Sequence, residues 1–183
     1  MKQSHKKGFT LVEILVVIVI ITILSAIILP SLFNTQERAA QGVLTRNVNG
    51  LYNILLYHEA TVGLPTIDSG SSSQNRKEIR DIITDSFDVI KNPYKKSTEI
   101  ISTSQAGSVK SAAIVITQGN QLMSTAINNK NTNLWPLTAA ESSKEKFIGS
   151  LVIRICKDGY LLYSYSPYNQ VDNIVKIPYM NSN

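Results

Sequence analysis

Residues Phe9–Leu29 read FTLVEILVVIVIITILSAIIL, a block of 21 residues with a single charge, Glu13. As an α-helix it spans roughly 32 Å, enough to cross a hydrocarbon core of about 30 Å. Ahead of it lies MKQSHKKG, which holds Lys2, Lys6 and Lys7 and no acid; behind it, the first charges are the mixed pair Glu37 and Arg38. By the positive-inside bias, residues 1–8 stay cytoplasmic and everything from Pro30 onward is exported. An ordinary signal peptide or a plain single-pass anchor would satisfy these facts equally well.

Glu13 satisfies neither. A carboxylate inside an apolar membrane segment is costly and marks a function by default, so the question is which cation it meets. No Lys, Arg or His lies between Phe9 and Leu29. A cut before Phe9 would create an α-amino group four residues away, on the same chain or on a neighbour. In an apolar setting that pairing is strong, and an unpaired carboxylate there is a penalty that docking removes. The pair would therefore act as an assembly checkpoint that fixes axial register. While the leader is attached, a neutral peptide bond stands in place of the amine.

The run Lys6-Lys7-Gly8-Phe9-Thr10-Leu11-Val12-Glu13, followed by the apolar helix, resembles the class III leader of type IV prepilins and pseudopilins. A secretory signal places its apolar region before the cleavage site; here it follows Gly8. The resemblance covers about residues 5 to 40. It implies that a prepilin peptidase cuts at Gly8–Phe9 and methylates the new N-terminus at Phe9. It also implies that Glu13 serves assembly, and that Pro30 is the proline near the end of the membrane half, where a kink is expected. One departure is Thr22, where many relatives carry glycine.

Beyond Pro30 the helix resumes. Leu44, Val48, Leu51 and Leu55 recur at spacings that form one face, and Gly63-Leu64-Pro65 ends the run. Thr66–Asn75 reads as a Ser/Gly loop, Arg76–Ile90 as a short amphipathic helix, and Asn92-Pro93 as its stop. Strand signals follow at Glu99–Thr103, Ser111–Thr117, Phe147–Cys156, Tyr160–Ser166 and Val171–Tyr179, with Asp158-Gly159 as a hairpin turn. Asn128–Ala140 is a polar loop holding Trp135. The expected fold is α+β: a long N-terminal helix packed on an antiparallel sheet of about four strands, as in the type IV pilin fold. The expected divisions are a removed leader at 1–8, a membrane or filament-core helix at 9–29, its amphipathic second half at 30–62 and a globular head at 63–183.

Charge does not redirect this reading. Net charge is +5, but without Lys2, Lys6 and Lys7 the 18 basic side chains fall to 15 against 13 acidic ones, so no nucleic-acid partner is indicated. Cys156 is the only cysteine, so no intramolecular disulfide exists, and a small buried hydrophobe is the plain reading of it. Beyond the leader there is one histidine, His58, which argues against a His-based metal or triad site. Phosphate-loop, dinucleotide, nucleophile-elbow, zincin and CxxC patterns are all missing. The carboxylates of Glu78, Asp81, Asp85 and Asp88 read as a solvated helix surface, and the late tyrosines Tyr160, Tyr163, Tyr165, Tyr168 and Tyr179 as cross-strand packing. No enzyme activity, cofactor or metal is expected.

The resemblance implies a structural subunit, held in the cytoplasmic membrane and then polymerised into an extracellular pilus that serves adhesion, twitching motility or DNA uptake. The implied partners are the prepilin peptidase/methyltransferase, other pilin subunits in a homopolymer and a membrane platform protein. Two alternatives stand beside it. One is a minor pilin or pseudopilin of a type II secretion or competence system. The other is a membrane-anchored exported domain that never polymerises.

Overall fold

The computed structural model describes residues 9–86, 90–102, 112–128, 147–166 and 171–180. The leader with Gly8, most of the Trp135 loop, and Tyr168 lie outside the described residues, as do Phe87 and Asp88. The chain divides into two units, residues 1–39 and 40–183. A single helix, α1 (Leu11–Thr61), runs from the first unit into the second. The first unit is helix alone among the described residues.

In the second unit, α1 contributes Leu44, Val48, Leu51 and Leu55, each at most 2% exposed. These are the positions that the sequence spacing picks out. The helix stops where expected: Val62 and Gly63 both donate to the carbonyl of His58 at 2.9 Å. Gly63 takes φ +89, a left-handed conformation that closes a helix end at little cost only in glycine. Helix α2 (Ser72–Ser86) begins four residues earlier than the apolar pattern suggests, inside the expected Ser/Gly loop. The physical reason is the cap. Ser71 accepts the Gln74 N–H on its hydroxyl at 3.2 Å, and this fixes the first turn before any apolar residue arrives.

Among the described residues the sheet holds five strands in chain order: β1 (Ile100–Ser102), β2 (Ile114–Gln118), β3 (Leu151–Cys156), β4 (Gly159–Tyr165) and β5 (Val171–Pro178). The α+β class is as expected, but the sheet is mixed rather than antiparallel. β1 pairs with β2, and β2 with β3, in parallel, while β3–β4 and β4–β5 are antiparallel. Strand signals in a sequence carry no direction. The long connections at 103–113 and 119–150 leave room for the crossovers that parallel pairing demands. The second of these includes a short helix, α3 (Met123–Asn128), which the sequence reading lacks.

Both faces of the sheet are buried, which is why β2, β3 and β4 read as nearly continuous apolar runs rather than alternations. One face carries Ile114, Ile116, Leu151, Ile153, Ile155, Tyr160 and Leu162 against α1 and α2. The other carries Val115, Val152, Cys156, Leu161, Tyr163 and Tyr165 with Met123 and Ala126 of α3 and with Phe147. The described tyrosines do serve packing, but buried rather than half-exposed: Tyr160 meets Tyr179 just past β5, while Tyr163 meets Tyr165 along the same strand β4, edge to face at 5.6 and 5.7 Å. The β3–β4 hairpin forms where Asp158-Gly159 points. Cys156 pairs with Gly159, so Lys157 and Asp158 make the two-residue turn. Gly159 has φ +145, and a Cβ there would meet the Ile177 carbonyl oxygen at 2.2 Å. No other residue fits.

Asn92 does more than stop a helix. Fully buried, its Nδ2 donates to the carbonyls of Ala112 at 3.0 Å and Ile148 at 2.8 Å. Its Oδ1 accepts from Tyr94 N at 2.9 Å and Lys95 N at 3.0 Å, an Asx-type turn. One amide thereby joins the loop after α2, the entry to β2 and the turn before β3. Asn92→Ala leaves the Ile148 carbonyl and two backbone donors without this partner, while the Ala112 carbonyl keeps the Ser150 hydroxyl, and it is expected to lower stability by about 2 kcal/mol. Denaturant unfolding of the chain in detergent measures this, and a loss under about 0.5 kcal/mol, the level of an ordinary surface change, would contradict the assigned role.

Candidate functional site

The first unit presents an apolar surface with no partner. From Phe9, 85% exposed, to Leu29, 49% exposed, its large side chains stand out all round the helix. The most apolar 18-residue window of α1 has mean hydropathy 3.1 and buries none of itself. Apolar surface of this extent in water marks an interface or a membrane segment. Hydroxyls within it are satisfied internally: Thr22 donates back to the Ile18 carbonyl at 2.7 Å, and Ser31 to the Ile28 carbonyl at 2.9 Å. Thr22 therefore adds no unmet polar group where many prepilins have glycine. The helix continues through Pro30. Proline has no N–H to give, so the Ala26 carbonyl lacks its usual helical donor.

At the start of α1, Thr10 and Glu13 close on each other. The Glu13 Oε2 accepts the Thr10 backbone N–H at 2.7 Å and the Thr10 hydroxyl at 2.8 Å. The Thr10 Oγ1 in turn accepts the Glu13 N–H at 3.3 Å. This is a capping box, in which two orphan donors of the first turn are met reciprocally. Its effect is to hold the carboxylate against Thr10 at the N-terminal end of the helix rather than letting it extend along the apolar surface. The sequence reading singles out Glu13 but misses Thr10. The signal was present in Thr10-Leu-Val-Glu13, a Thr-x-x-Glu pattern ahead of an apolar run.

Other candidate chemistry resolves into structure. Glu78, Asp81 and Asp85 stand exposed on α2, and together with His58 they line an open groove. Among the described residues no group of His, Cys, Asp or Glu side chains is arranged to hold a metal ion. Cys156 is a buried free thiol, and that burial pushes its pKa up to about 11, far from a reactive thiolate. A further residue that the sequence reading passed over is Glu59, 5% exposed at the end of α1. It falls four positions after Leu55, on the helix's buried stripe, and an acid in that phase is itself the signal.

Residues 3–29 match the family described as prokaryotic N-terminal methylation motif. The chain is 35% identical over 71 residues to type II secretion system core protein G of Aeromonas hydrophila, covering 38% of this chain and 50% of that protein. It is 49% identical over 47 residues to the type IV wide pilus major component PilA4 of Thermus thermophilus, covering 26% and 36% respectively. Core protein G of Vibrio cholerae is 38% identical over 72 residues, covering 38% and 49%. The chain thus spans half or less of the length of these relatives, and no solved structure matches it. Residues 3–29 thus carry the methylation motif at the head of a long apolar helix, and over part of its length the chain is similar both to a type IV pilus component and to a type II secretion core protein, a likeness that supports a type IV pilin-like prepilin.

Proposed function

We propose that this protein is the subunit of a type IV pilus, cut at Gly8–Phe9, methylated on Phe9, and polymerised through the apolar half of α1. The observation that carries the reading is the Thr10–Glu13 pair at the head of an otherwise uncharged apolar helix. Cleavage gives Phe9 an α-amine at the end of the helix where the capping box holds the carboxylate. Docking one subunit's amine against another's Glu13 neutralises both charges as they leave water and sets the axial step between subunits. Residues 1–8 then act as a cytoplasmic leader, 9–29 as the membrane and later filament-core segment, and 30–62 as its continuation into a head at 63–183. Pro30 supplies a bend between the two halves of the helix.

The partners follow from this scheme: a prepilin peptidase that also methylates, further copies of the chain, and a membrane platform protein that extracts subunits from the bilayer. A second reading is a pseudopilin or minor pilin of a secretion or competence system, and the matches to core protein G over about 70 residues favour it. Quantity separates the two. A major subunit dominates sheared surface fibres, whereas a pseudopilin appears in them only as a trace.

Four outcomes test the proposal. Mass spectrometry of surface-purified material is expected to find N-methyl-Phe9 as the first residue, and Gly8→Val to leave the full-length precursor in the membrane. A start at Met1 would instead indicate a permanent anchor. Glu13→Ala is expected to be cleaved normally yet to yield few or no fibres, and wild-type fibre yield from that variant sinks the checkpoint. Thr10→Val, which removes the hydroxyl but keeps the shape, is expected to reduce N-methylation and fibre yield, with Thr10→Ser restoring both. If valine and serine behave alike, the hydroxyl plays no part.

A further inference from the structure

Glu59 lies two residues before the end of α1, and both of its carboxylate oxygens accept backbone N–H groups. Oε2 accepts Leu64 at 2.9 Å, and Oε1 accepts Met180, 121 residues later in the chain, at 2.7 Å. Neither donor belongs to a helix or a strand. Leu64 follows the Gly63 turn out of α1, and Met180 lies past the last residue of β5, Pro178. Around them Tyr179 directs its hydroxyl toward the carbonyls of Pro65 and Cys156, at 3.4 and 3.2 Å, and the Tyr160 hydroxyl donates to the same Pro65 carbonyl.

An apolar residue at position 59 would extend the Leu44–Leu55 stripe, and a buried carboxylate without donors would be costly. The geometry supplies those donors, and hydrogen bonds to an ionised acceptor are about twice as strong as neutral ones. Among the described residues β5 is also an edge strand with a neighbour on one side only, so its last residues would fray unless something held them. No disulfide can do this, because the single cysteine is Cys156 inside the core.

We propose that Glu59 is a carboxylate clasp that holds the C-terminal segment Tyr179–Met180 onto the loop leaving α1. It performs without a covalent bond the closure that a cystine would perform in an exported domain. Breaking it releases that segment and the Leu64 loop together while the sheet stays folded.

The test is amide hydrogen exchange on the full mature chain in detergent, before any assembly, so a failure to form filaments does not affect the readout. In Glu59→Gln one side-chain amide group faces a backbone N–H in place of an acceptor. The amides of Leu64 and Met180 are then expected to exchange about tenfold faster or more, while amides of β3 and β4 keep their protection. Tyr179→Phe is expected to give a smaller change confined to the same two segments. Unchanged exchange at Leu64 and Met180 in Glu59→Gln overturns the clasp. So does a rise spread evenly through β3 and β4, since Glu59 would then be part of the general core.

Discussion

One helix must satisfy two environments, and most of the architecture follows from that constraint. Over residues 11–29 the side chains of α1 are apolar on every side, so no amphipathic packing on one neighbour can cover them. Past Ala40 the same helix narrows to a stripe of Leu44, Val48, Leu51 and Leu55, which a sheet face can cover completely. The change in pattern divides a segment whose apolar surface runs all round the helix from one that needs only half its surface covered. A polar group in the first part has to be answered locally. Thr22 and Ser31 turn back on their own helix, and Glu13 is met by Thr10.

The globular unit is built so that its remaining surfaces are poor partners for chance association. Among the described residues both faces of β2, β3 and β4 are covered, and exposure rises at β5. β1 is three residues long. β5 exposes Asp172, Lys176 and Pro178, and it is interrupted at Asn173, which takes φ +56 where the register with β4 shifts. Charge, proline and a bulge are the usual means of making an edge unattractive to another strand. The bulge also has an internal use. It directs Asn173 so that its Oδ1 accepts the Thr45 hydroxyl of α1 at 3.1 Å and its Nδ2 donates to Ser164 at 3.0 Å.

Polar side chains buried in the head act as joints between segments distant in sequence. Asn92 links three loops through a single amide, and Ser150 donates to the Ala112 carbonyl at 2.6 Å beside it. Asp158, in the β3–β4 turn, accepts the Met123 N–H at 2.7 Å and so anchors the start of α3. Each of these groups meets a backbone donor or acceptor that secondary structure leaves unpaired, the general condition for burying a polar atom at acceptable cost. In a chain with one cysteine, such joints replace cross-links.

What the sequence alone determined is whatever short-range chemistry dictates. The apolar run, the lysines ahead of it, the Gly8-Phe9 pair and the lone Glu13 carry the likeness to prepilins. The four-residue spacing of leucines sets the buried face of α1, Gly63 marks its end, and Asp158-Gly159 marks the hairpin. The capping box was equally legible in Thr10-x-x-Glu13. The tertiary structure decided everything that depends on residues far apart. It set strand direction, because a strand has the same composition whichever way it runs. It set the second buried face of the sheet, because a run of apolar residues does not say what will cover it. It also set the roles of Asn92 and Glu59. Their value lies in backbone groups that only the completed fold brings within hydrogen-bonding reach, in one case 121 residues along the chain.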